Sequence, residues 1–106
     1  MTTVKELHDK AMRLAHLALV ARHNQEWTQA EDLAREACKY ETQAADLVPE
    51  GQASEPTRSI LYRSAASLAY QSKDFRMAER LIIKGLLGYP PSRVEQELRD
   101  LYEQVN

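Results

Sequence analysis

Leu14-Ala15-His16-Leu17-Ala18-Leu19-Val20-Ala21, followed nine residues later by Ala30-x3-Ala34-x2-Ala37, is the stretch that decides the fold of this 106-residue chain. The same spacing returns 48 residues on (78 minus 30) as Tyr62-x2-Ala65-Ala66-x2-Ala69, then Ala78-x3-Ile82-x2-Gly85, with Pro90 behind it. Steps of three and four put such residues on one stripe of a helix. Methyl-sized side chains on that stripe let two antiparallel helices approach closely, because the distance between helix axes follows the side chains at the contact. The pattern predicts two helical hairpins built alike.

Working outward, the spacing predicts five helices, over about 3–23, 28–48, 56–72, 74–87 and 92–105, with no strand. In helix 1, Val4, Leu7, Ala11, Leu14, Ala18 and Ala21 share a stripe, while Met12, Leu19 and Val20 lie outside it. That helix is therefore apolar on more than one side. Asn24-Gln25-Glu26-Trp27 reads as the turn, with Trp27 as a packing wedge and Thr28 with Glu31 spaced as a capping box. Helix 2 continues through Leu33, Ala37, Tyr40, Ala44 and Leu47 until Pro49 and Gly51 end it. Pro56 suits the first turn of helix 3, and Asp74 is placed to cap helix 4. Gly88-Tyr89-Pro90-Pro91 is a stop signal, after which Ser92 and Glu95 have capping-box spacing. Helix 5 carries Val94, Leu98, Leu101, Tyr102 and Val105 on one face, with Arg93, Glu97, Arg99, Asp100 and Glu103 opposite, as a capping helix would.

A chain of this length holds one domain, and 43% apolar with 28% charged residues is ordinary for a globular protein. No apolar run is long enough to span a bilayer, and the charged start does not read as a signal peptide. The single cysteine, Cys38, cannot form an internal disulfide, so a cytoplasmic setting is expected. The formal net charge of −2 gives no general drive toward nucleic acid. Charge is unevenly spread, however. Residues 26–50 hold seven acids against Arg35 and Lys39, and residues 55–84 hold six bases against Glu55, Asp74 and Glu79.

The paired hairpins resemble the tetratricopeptide repeat, a helix–turn–helix unit that stacks side by side and holds other polypeptides. The resemblance covers roughly residues 11–48 and 57–90. The 48-residue offset exceeds the usual repeat of about 34, and the surplus falls on the long helix 2 and the polar loop 49–55. Tyr62 stands where Trp is usual, and Ala65, Ala66 and Ala69 stand for Leu, Gly and Tyr. No Pro follows the first unit at the expected place. The segment from Glu55 to Ala69 is similar to short bacterial tetratricopeptide-like proteins of unassigned role. The first helix pair alone is also similar to the microtubule-interacting-and-transport three-helix module, another peptide binder.

In tetratricopeptide domains the first helix of each unit lines the concave surface. On that resemblance, Met12, Leu19 and Arg22 of helix 1, with Ile60, Arg63, Ser67 and Tyr70 of helix 3, line a partner-binding groove. An apolar floor edged by two guanidinium groups suits an amphipathic helix or a carboxylate-bearing peptide. The implied function is a protein-interaction adaptor or regulatory subunit in the bacterial cytosol. Self-association through helices 1 and 5, giving a homo-oligomer, is the alternative. A third reading gives the stripe Lys73, Arg76, Arg80 and Lys84 to phosphates or to an acidic partner, including helix 2 of a second copy. His16 and His23 are seven residues apart, about 10 Å along a helix, so they lack the i, i+4 spacing of a zinc pair, and neither metal nor cofactor is expected. Cys38 reads as a small core residue. Without a phosphate loop, nucleophile elbow or metalloprotease motif, catalysis is not expected.

Overall fold

A computed structural model describes the whole chain, Met1–Asn106, and builds it from helices and turns without a strand. The elements are α1 (Val4–His23), α2 (Trp27–Leu47), α3 (Thr57–Gln71), α4 (Phe75–Leu86) and α5 (Ser92–Val105), with a 3-10 turn at Gln52–Ser54 between α2 and α3. Each helix packs on the next, and α5 also returns to α3. Helix limits fall within one residue of those expected from spacing.

The two hairpins turn in the same way. Glu26 N–H donates to the Ala21 carbonyl at 2.8 Å, and 48 residues later Asp74 N–H donates to the Ala69 carbonyl at 2.9 Å. Gln25 and Lys73, again 48 apart, are the chain's two non-glycine residues with positive φ, at 63° and 65°. A left-handed residue costs roughly 1–2 kcal/mol, so the same strained turn in both units is held by the packing around it.

Alanines fill the crossings as expected. Ala11, Ala18, Ala34, Ala37, Ala44, Ala45, Ala65, Ala66, Ala69 and Ala78 are fully buried, and Ala21 and Ala30 nearly so. Gly85 takes the position of Ala37 in the second unit. A Cβ there would stand 3.0 Å from Leu98 Cδ1 and 3.3 Å from Tyr62 Cβ, so its absence brings α4 close to both α3 and α5. Leu81, Ile82 and Leu98 supply the largest fully buried side chains.

The caps differ in part from expectation. Asp74 does cap α4, accepting from Met77 N–H at 3.1 Å. The Thr28 box does not form, because α2 begins one residue earlier at Trp27 with Glu26 at the cap and no side-chain bond. The Ser92 box fails likewise, since Pro91 holds the cap position. The side-chain cap that spacing overlooked is Thr3, whose hydroxyl accepts from Glu6 N–H at 3.1 Å at the start of α1. Pro56 also sits just ahead of α3, at its cap, following a cis Glu55–Pro56 bond. Trp27 is exposed, so it is no wedge.

Two buried polar groupings tie the helices together. Glu41 of α2 is completely buried and meets His8 Nδ1 of α1 at 2.9 Å. Around the loop after α2, Arg58 lies over the Tyr62 ring, 4.8 Å from its centroid, and donates to the Lys84 carbonyl at 3.2 Å. Glu55 accepts from the backbone N–H groups of Ser59 and Tyr89, both at 3.0 Å, joining the start of α3 to the end of α4. Burial favours the protonated Glu55 carboxyl, yet these hydrogen bonds and Arg58 outweigh it and hold the carboxyl below its ordinary range.

Enlarging a crossing residue tests the packing. Ala66→Leu should cost about 1–3 kcal/mol by overpacking, lowering Tm by roughly 4–8 °C per kcal/mol in a chain of this size. An unchanged thermal melt would contradict the close approach. The Tyr62 hydroxyl donates to Asp46 at 2.6 Å, and burial first, then that bond, pushes its pKa up to about 12. Because the folded value lies above the unfolded one of about 10, the stabilisation is complete below pH 10 and is lost as pH rises toward 12. Ultraviolet titration should show a late-ionising tyrosine, and Tyr62→Phe should remove that step.

Candidate functional site

A cavity of about 490 Å³ opens between α1, α3 and α5. Met12 and Ala15 come from α1, Arg63, Ser64, Ser67, Leu68 and Gln71 from α3, and Glu97, Asp100, Leu101 and Gln104 from α5. The periodicity of α3 explains its share. Tyr62, Ala66 and Ala69 turn toward the core, which leaves Ser64, Ser67 and Gln71 on the opposite flank.

Of the residues expected here, Met12, Arg63 and Ser67 line the cavity. Arg22 reaches its edge, donating from Nη2 to Gln71 Oε1 at 3.0 Å. Leu19 is exposed on α1 and contributes no wall. Ile60 packs against the core, and Tyr70 lies beside Phe75 with ring centroids 5.6 Å apart, so neither lines the opening.

The third wall was missed by sequence reasoning. Glu97 and Asp100 read there as the solvent side of a capping helix, yet both border the cavity with Leu101 and Gln104. A signal was present in the spacing, since residues 97, 100, 101 and 104 share one side of a helix. Nothing local says that α5 folds back on α3. The consequence is electrostatic. Arg63 Nη1 meets Glu97 Oε1 at 2.6 Å, so one of the two expected guanidinium groups is already paired within the chain. Arg22 has only a neutral amide partner. The cavity thus carries one uncompensated cation on the α1 side and Asp100 on the α5 side.

The basic stripe is partly engaged too. Lys73 Nζ lies 3.2 Å from Glu31 Oε2, and Lys84 Nζ lies 3.5 Å from Asp46 Oδ1, both acids belonging to α2 of the same chain. Arg76 and Arg80, exposed between them, form no ion pair.

Two smaller openings lie elsewhere on the surface. Cys38, Thr42, Ala69, Ser72, Asp74 and Met77 border a cavity of about 360 Å³ between α2 and the α3–α4 turn. Burial pushes the Cys38 thiol up, and its sulfur donates to the Ala65 carbonyl at 3.3 Å, which suits a packed thiol rather than a nucleophile. At the far end, Ile83, Leu86, Arg99, Tyr102 and Glu103 border about 290 Å³ between α4 and α5.

No helix is long and apolar enough to cross a membrane. No protein-family model, curated protein or solved structure matches the chain.

The Arg63–Glu97 pair is half-exposed, so it contributes only about 0.2–1 kcal/mol. Arg63→Glu should destabilise modestly by setting two carboxylates together at α3 and α5, and adding Glu97→Arg should restore the loss. Denaturant midpoints of the two single variants and the double variant measure this coupling, and simple additivity would deny the pair.

Proposed function

We propose that the chain is a tetratricopeptide-like interaction module, an adaptor or regulatory subunit that holds a segment of another protein between α1, α3 and α5. The observation that carries this reading is the three-walled cavity with an apolar floor of Met12, Ala15, Leu68 and Leu101 and a polar rim. Ser64, Ser67, Gln71 and Gln104 offer donors and acceptors suited to the backbone or polar side chains of a peptide. Arg22, free of any carboxylate in the chain, is the group available to a ligand carboxylate. Arg63 is less available, since a ligand must first displace Glu97.

Binding rather than turnover is the work proposed. The walls are helices fixed by buried alanine crossings, so a partner segment is ordered on a scaffold that loses little freedom of its own. The repeated turns at residues 24–26 and 72–74 support the tetratricopeptide reading, because they make the two hairpins equivalent units. A reducing, cytosolic setting accords with the single buried thiol.

A photo-crosslinking residue at Gln104 should capture a polypeptide in the source cell, and the same residue at Arg80 should not. Adding Ser67→Trp, which fills the cavity while leaving the core alanines intact, should remove that capture, and Arg22→Gln should weaken it. Equal capture from Gln104 and Arg80, or capture indifferent to Ser67→Trp, would contradict the groove.

A further inference from the structure

α2 and α4 both pack on α3, and two ion pairs tie them to each other as the walls of a slot. Lys73, in the turn before α4, lies 3.2 Å from Glu31, and Lys84, near the end of α4, lies 3.5 Å from Asp46. The two acids stand about 22 Å apart along α2, fifteen residues (46 minus 31) at about 1.5 Å each. Between the bridges lies the cavity of about 360 Å³, with Cys38, Thr42, Ala69, Ser72 and Met77 inside it. Its interior has no polar group to spare. Cys38 Sγ donates to the Ala65 carbonyl at 3.3 Å, Ser72 Oγ donates to the Ala69 carbonyl at 2.9 Å, and Thr42 Oγ1 stands 3.8 Å from Cys38 Sγ. Hydrocarbon suits such a lining, since a buried polar group without a partner is costly.

The mouth is cationic. Lys39 borders it, exposed and without a carboxylate partner. On α4, Met77, Arg80 and Lys84 follow steps of four or three, so Arg80 stands on the side that places Met77 in the wall and Lys84 at Asp46. Arg80 is exposed and also forms no ion pair. The remaining rim charges are engaged within the chain: Arg35 donates to Asp32 at 2.8 Å, and Asp74 accepts from Met77 N–H at 3.1 Å. We infer that the slot binds a small amphiphilic anion, its head meeting Lys39 and Arg80 and its unbranched apolar body lying over Cys38, Ala69 and Met77. A medium-chain carboxylate is the simplest such molecule. The closed ends select against a polypeptide, because a chain running along the slot must cross one of the ion pairs. Arg35 to Gln43, the span of α2 that borders the cavity, covers about 12 Å, which limits the ligand to a short chain. The volume falls at the lower end of small-molecule sites, roughly 300–1,000 Å³.

The slot shares no lining residue with the groove between α1, α3 and α5, so it stands separately from the proposed partner site. Nuclear magnetic resonance of a chain labelled at the methionine methyls reports on it directly, because Met77 alone of the three methionines borders the slot. Titration with octanoate should move the Met77 signal saturably and leave those of Met1 and Met12 in place. Octylamine, with the same body and the opposite charge, should bind at least tenfold more weakly. Acetate, which carries the head alone, should leave the signal unmoved. Thr42→Trp, which fills the slot from its half-buried wall, should abolish the octanoate shift. Lys39→Glu combined with Arg80→Glu should weaken octanoate roughly tenfold. Both of those side chains are exposed, so circular dichroism melts should show the double variant folded. A Met77 signal that stays put, that moves together with Met12, or that answers octanoate and octylamine alike would overturn the inference. So would octanoate binding indifferent to the double charge variant. The groove is judged independently: capture from Gln104 should persist in Thr42→Trp, and its absence from the parent chain counts against the groove alone.

Discussion

Close approach of helix backbones at methyl-sized side chains is the constraint from which the rest of the structure follows. Ala11, Ala18, Ala34 and Ala37 in the first hairpin, and Ala65, Ala66, Ala69 and Ala78 in the second, are all excluded from solvent. Such contacts supply little apolar area each, so the core owes its cohesion to density rather than to large side chains. Longer residues enter mainly where a third helix arrives, as with Leu81 and Ile82 of α4 and Leu98 of α5. Buried polar groups then fix the relative placement of the helices. The buried Glu41 carboxyl, hydrogen-bonded to His8 Nδ1, requires α1 and α2 in one register, since a buried polar group without a partner is costly. Arg58, Glu55 and Tyr62 do the same for the long loop between the two units.

Because the hairpins are equivalent, each face of one predicts the environment of the matching face on the other. That relation separates two surfaces on α1 that a simple hydrophobicity scan would merge. Met12 and Ala15 turn toward α3 and α5 and form part of a walled cavity, whereas Leu17 and Val20 are exposed on another side of α1. The first surface is walled by three helices and has a polar rim, and the second is a shallow surface of α1 alone. They share Met12, which lines both openings.

Local physics made most of the fold legible in the sequence. Alternating steps of three and four located the helices, and proline or glycine located their ends, because those signals act within a few residues of where they are read. Caps were less legible: Thr28 and Ser92 have the right spacing, yet Glu26 and Pro91 take the cap positions. Trp27 was misread as a wedge although the turn leaves it exposed, as it leaves its counterpart Phe75. In the groove, the α1 and α3 contributions were partly visible from helical phase. The α5 wall and the Arg63–Glu97 pair were not, since they depend on how α5 folds back across 34 residues of sequence. The His8–Glu41 contact spans 33 residues and was invisible for the same reason.

The central claim is that the two hairpins are equivalent units joined at alanine crossings. Methyl nuclear Overhauser spectroscopy on a chain labelled only at alanine tests it most directly. The account predicts cross-peaks between the alanine methyls of α1 and α2 (Ala11, Ala18 and Ala21 with Ala30, Ala34 and Ala37), and a matching set between Ala66 or Ala69 and Ala78. Alanine methyls that see only their own helix, or that exchange magnetisation with water, would contradict it.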